Sequence, residues 1–87
     1  ASRKHDMVIS GGINIYPQEI EEVLHKHPDV LEAAVIGIPD TEWGESLRAF
    51  IVARPGSGLS EETLVKHCKL HLASYKQPRS VIFVRML

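Results

Sequence analysis

The chain has 87 residues, 44% of them hydrophobic and 24% charged, and a formal net charge of -1, which fits a globular domain with one small core and excludes disordered and collagen-like chains. Ten basic residues against eleven acidic ones, with no basic run, exclude the electrostatic footprint of a nucleic-acid polymer binder, although a local patch could hold a small polyanion. The lone Cys68 excludes an intrachain disulfide and a cysteine-based zinc site and points to a reducing compartment, and no apolar run has the length of a membrane span.

Both ends, Ala1-Ser2-Arg3-Lys4-His5-Asp6 and Phe83-Val84-Arg85-Met86-Leu87, read as cuts in a longer polypeptide. Met7-Val8-Ile9 and Ile13-Asn14-Ile15-Tyr16 are short β-prone runs joined across Ser10-Gly11-Gly12, which predicts a two-stranded hairpin. Two adjacent glycines fit a plain tight turn, and they also let a backbone lie close to a ligand.

Pro17 suits a first helical position, with Glu19, Glu21 and Glu22 near the positive end of the helix dipole. The helix is expected to run to about His27, with Ile20, Val23, Leu24 and His27 on one face and Glu21, Glu22 and Lys26 outward, until Pro28 ends it. The run from Val30 to Ile38 predicts a strand covered on both faces over most of its length, with Pro39-Asp40 as its exit. Trp43 then falls in a polar loop or at a strand entrance, either packed over the core edge or free to stack on a planar ligand.

Leu47 to Arg54 predicts a second long strand, closed by Pro55-Gly56-Ser57-Gly58. Ser60 is a good N-cap for a second helix whose Leu64, Cys68 and Leu72 recur at i, i+4 and i+8, making Cys68 a small buried hydrophobe. His67 and His71 lack further ligands for a metal and read as a solvated face. After the polar connector Ala73 to Arg79, Ser80 to Arg85 predicts a third longer strand. The expected fold is α+β: a small sheet of three longer strands, two helices packed on it and an N-terminal two-stranded hairpin.

The wording of several segments goes further than their patterning. Residues 3–21, Arg3-Lys4-His5-Asp6-Met7-Val8-Ile9-Ser10-Gly11-Gly12-Ile13-Asn14-Ile15-Tyr16-Pro17-Gln18-Glu19-Ile20-Glu21, closely resemble the opening of the C-terminal subdomain of adenylate-forming enzymes. That superfamily comprises acyl-CoA synthetases, peptide-synthetase adenylation domains and firefly luciferase. The resemblance continues through Val35-Ile36-Gly37-Ile38-Pro39-Asp40, Trp43-Gly44-Glu45 and Leu72-Ala73-Ser74-Tyr75-Lys76-Gln77-Pro78. The glycine segment and the Tyr75-Lys76-Gln77-Pro78 connector look most like acyl-CoA synthetases.

The resemblance implies a lid: residues 1–6 as the hinge from an N-terminal adenylation domain of the same chain, and residues 7–87 as the C-terminal subdomain, cut before the segment that bears the adenylation lysine. The isolated lid is expected to be inactive. The parent would be a cytoplasmic, AMP-forming acid-thiol ligase using ATP, with Mg2+ expected alongside it, and CoA, on a fatty or other hydrophobic carboxylate. Arg3 then matches a nucleotide contact and His5 the hinge, where the family usually carries aspartate or lysine. Ser10, Gly11 and Gly12 match the loop along the pantetheine tunnel, Trp43 a position near the CoA nucleotide, and Lys76 and Arg79 the basic region near CoA phosphates. Gln77 stands where some relatives carry another basic residue. The alternatives are a lid serving a phosphopantetheinyl carrier protein and a free-standing interaction domain that reuses the fold.

Overall fold

A computed structural model describes residues 7–87; Arg3 and His5, assigned above to nucleotide and hinge, lie outside the described residues. The architecture is α+β, as expected. Val8–Ser10 (β1) and Ile13–Ile15 (β2) pair antiparallel, with Val8 opposite Ile15 and Ser10 opposite Ile13. Gly11 and Gly12 close this hairpin at φ 58° and 80°, and a two-residue turn matching the strand twist needs that left-handed backbone at both positions.

Helix α1 (Pro17–His25) begins with proline at its first turn and buries Pro17, Ile20 and Leu24. It stops short of His27. The amides of Lys26 and His27 instead make tight bonds to the carbonyls of Val23 and Leu24, 3.2 and 3.1 Å, and Pro28 disfavours a helical residue before it. Glu21 also departs from the outward expectation: its Oε2 accepts the Val35 amide at 2.8 Å, supplying a partner to an edge strand.

Strands β3 (Val30–Asp40) and β4 (Gly44–Ala53) form a long antiparallel hairpin, and β5 (Ser80–Phe83) lies parallel to β4 on its other side. β3 runs through Pro39 and Asp40, which the sequence had suggested as its exit, because an edge strand tolerates a proline that cannot donate to a ladder. β5 is shorter than expected, though the Val84 amide still reaches the Ile51 carbonyl at 2.9 Å.

Helix α2 (Glu61–His71) is capped by Ser60, whose hydroxyl oxygen accepts the Thr63 amide at 3.2 Å. Its Leu64 and Cys68, with Leu72 just beyond, join Ile20 and Leu24 of α1 over Val35, Leu47, Ala49 and Ile51 of the sheet. Val8 and Ile15 extend the same core from the hairpin. Among the described residues β3 is covered on one face only, contrary to the expectation of two. Ile36, and Ile82 of β5, stay 40% and 37% exposed because both helices pack on the opposite side. His67 is corrected too: its Nε2 lies 2.7 Å from the Val23 carbonyl oxygen and its ring meets His27 edge-on, so it joins α2 to α1.

Candidate functional site

Between the β1–β2 turn, the β3–β4 turn and the connector before β5 lies an open groove of about 350 Å³. Its lining includes Ser10, Gly11, Ile13, Trp43, Ser46, Tyr75 and Arg79. Four of the expected site residues therefore converge there: Ser10, Gly11, Trp43 and Arg79. Gly12 is exposed beyond the groove lining, with nothing within 4 Å of where a Cβ would stand. Lys76 is also absent from the lining, and its ammonium lies 2.6 Å from Glu19 Oε1 on α1.

Trp43 is the meeting point. It ends the short turn Thr41-Glu42-Trp43, and Gly44 follows at φ 84°, a left-handed residue that returns the chain into β4. The turn is fastened by Asp40, whose Oδ1 accepts the amides of Glu42 and Trp43 at 2.8 and 3.0 Å. These amides, Trp43 foremost, hold the Asp40 carboxyl below the usual carboxylate range, with smaller help from the Ser46 hydroxyl and the Arg79 charge.

On its other side Trp43 meets the glycine turn. Its carbonyl accepts the Gly11 amide at 2.8 Å, and its indole lies so close that a Cβ on Gly11 would stand 2.9 Å from Cε3. The Arg79 guanidinium carbon sits 5.0 Å from the Trp43 ring centre, within cation–π range. Arg79 is positioned by its amide, which donates to the Leu47 carbonyl at 2.9 Å just before β5 begins. The result is a partly exposed indole, 38% accessible, next to a planar cation and beside a stretch of backbone bare of side chains. Such a surface can stack a heteroaromatic ring, grip a phosphate and leave room for a thin flexible chain.

Sequence reading did not single out Asp40 and Glu45 as site supports. An aspartate followed by a polar turn is a local signal for side-chain acceptance of the next amides, so Asp40 was discoverable. Glu45 gives no local signal, since its Oε1 accepts the amide of Ile9 at 3.0 Å from a distant strand. Among the described residues no group of three His, Cys, Asp or Glu side chains is arranged to hold a metal ion. No described helix is long and apolar enough to cross a membrane.

Known proteins resemble this chain over nearly its whole length. A 3-[(3aS,4S,7aS)-7a-methyl-1,5-dioxo-octahydro-1H-inden-4-yl]propanoyl:CoA ligase of Mycobacterium tuberculosis is 53% identical over 85 residues, covering 98% of this chain and 17% of that protein. A long-chain-fatty-acid–CoA ligase of the same species is 48% identical across 98% of this chain and 17% of its own length. The solved structure of apo MatB from Rhodopseudomonas palustris superposes with a TM-score of 0.93 at 41% identity, over 99% of this chain and 17% of that one. That of a Mycobacterium tuberculosis fatty acyl CoA synthetase gives 0.88 at 48% identity, over 95% and 16%. The chain thus spans about a sixth of the length of the relatives it matches. The family model for the AMP-binding enzyme C-terminal domain matches residues 19–87, and the chain belongs to that family.

Proposed function

We propose that this chain is the C-terminal lid of an ATP-dependent acyl-CoA ligase that activates a fatty or other hydrophobic carboxylate. The observation that carries the reading is the Arg79 guanidinium 5.0 Å from the exposed Trp43 ring, at a groove lined by Gly11. The parent's N-terminal adenylation domain would bind ATP, with Mg2+, and the acid. A carboxylate oxygen attacks the α-phosphorus and pyrophosphate leaves, giving the acyl-adenylate. The CoA thiolate then attacks the acyl carbon and AMP departs. The adenylation lysine is assigned to the remainder of the parent chain, and residues 1–6, with Arg3 and His5, to the hinge.

In the second step the lid's residues bind and orient. Trp43 stacks on the adenine of CoA, Arg79 offers its fork to the phosphates, and Ser10, Gly11 and Gly12 border the path of the pantetheine arm. Lys76 is a weaker phosphate ligand, since Glu19 already takes its ammonium. Lid motion would exchange the adenylation and thiol-transfer orientations. A cytoplasmic setting suits both the free CoA thiol and Cys68.

The test is steady-state kinetics on the full-length ligase. Trp43→Ala and Arg79→Ala should each raise the KM for CoA about tenfold, the scale of one lost stacking or charge-assisted contact. Pyrophosphate exchange without CoA should be unchanged, and pantetheine, which lacks the nucleotide, should react equally with variants and wild type. Unchanged CoA kinetics in both variants would overturn the assignment and favour a carrier-protein thiol.

A further inference from the structure

We infer that Asp40 is the positioning residue of the Trp43–Arg79 clamp, holding the indole beside the glycine turn and the guanidinium by fastening the turn that bears it. The inference rests on the groove being the CoA nucleotide site. Its own basis is the geometry around one carboxylate. Oδ1 takes both the Glu42 and the Trp43 amide, so the turn is anchored at the residue that carries the indole. The carbonyl of Trp43 takes the Gly11 amide in turn, so a shift of the turn also frees the glycine loop. Ser46, 5% exposed in the groove wall, and the Arg79 charge also help to hold the Asp40 carboxyl low. Two walls of the groove, the β3–β4 turn and the glycine turn, therefore share one anchor.

Asp40 touches neither the thiol nor the acyl carbon in this scheme; it acts through Trp43. Losing the anchor leaves the indole present but free to leave the stacking position, and small misplacements of a binding group weaken binding well out of proportion to their size. Asparagine keeps the accepting Oδ1 and should preserve the turn, whereas alanine cannot accept either amide.

The experiment uses the full-length ligase with any other tryptophans replaced by phenylalanine. Asp40→Ala should raise the KM for CoA by up to about tenfold, the effect expected of losing the Trp43 contact through which it acts, with pyrophosphate exchange unaltered. It should also increase acrylamide quenching of Trp43 fluorescence, and Asp40→Asn should restore both readouts to within about threefold of wild type. Equal quenching in wild type and Asp40→Ala overturns the inference, as does Asp40→Asn behaving like Asp40→Ala. If Asp40→Ala does not fold, Asp40→Glu replaces it, because the extra methylene carries the carboxylate away from the two amides; Glu matching wild type would then overturn the anchor role. Trp43→Ala is the separating control. If it leaves the KM for CoA unchanged, the groove reading fails while the quenching result still decides the role of Asp40.

Discussion

The ammonium of Lys76 and the Oε1 of Glu19 stand 2.6 Å apart, tying the 3-10 turn Ser74–Lys76 to the first turn of α1. The hydrogen bond to Glu19 raises the Lys76 pKa above its ordinary 10.5. A raised lysine contributes stability fully below 10.5, and that contribution is lost as pH rises through the higher folded value. Glu19→Gln should therefore lower the melting temperature slightly and equally from pH 6 to about 10, with the gap to wild type closing above that. Lys76→Ala should change the KM for CoA by less than about twofold, because the bridge occupies the charge. A tenfold change would show that Lys76 leaves Glu19 to meet the ligand.

The two glycines of the hairpin turn separate on substitution. Gly11→Ala meets both a left-handed φ of 58° and the indole at 2.9 Å, whereas Gly12→Ala meets only a φ of 80° with open space around it. Urea unfolding should show Gly12→Ala destabilised by about 1 kcal/mol and Gly11→Ala by about 2 kcal/mol or more. Only Gly11→Ala should shift Trp43 emission. Equal losses would mean that the indole yields freely.

Local signals account for the part of this fold that was legible. Ser60, Pro17, the Gly11-Gly12 pair and the Leu64, Cys68, Leu72 spacing each act within a few residues, and each does in the structure what its chemistry demands. β3 misled because an apolar run states which residues could be buried, not whether anything covers the far face. Glu21, Glu45 and His67 misled or passed unnoticed for a related reason: their partners Val35, Ile9 and Val23 lie elsewhere in the chain, and a polar side chain read alone looks solvated. The convergence of Gly11, Trp43 and Arg79 was legible only through the order of family motifs, since nothing periodic links three separate loops.

His67 should prove structural where its neighbour is not. Its Nε2 meets the Val23 carbonyl at 2.7 Å and its ring sits edge-on to His27, while His71, one turn on, is exposed. His67→Ala removes the side-chain bond and ring contact across the junction of the helices, although the Val23 carbonyl keeps the Lys26 amide. Denaturant melts should place His67→Ala about 1–2 kcal/mol below wild type and His71→Ala within about 0.5 kcal/mol of it. Matching losses would assign the effect to the contact between the His67 and His71 rings, whose centres lie 4.7 Å apart, rather than to the helix junction.

Cys68 offers a probe of the core itself. It is 4% exposed among Leu64, Leu72 and the sheet, and burial pushes its thiol above the ordinary 9.0. A thiol that is both inaccessible and held neutral reacts only after the domain opens. Labelling with a thiol-specific disulfide reagent at pH 8 should therefore proceed at the rate of opening, orders of magnitude below that of the urea-unfolded chain. Because the folded pKa of this acid is raised, the neutral thiol stabilises the fold below 9.0 and the benefit fades as pH climbs through the folded value. Cys68→Ala should flatten that alkaline decline. Rapid labelling of the native protein, unaffected by stabilising salts, would show instead that α2 leaves Cys68 accessible without opening.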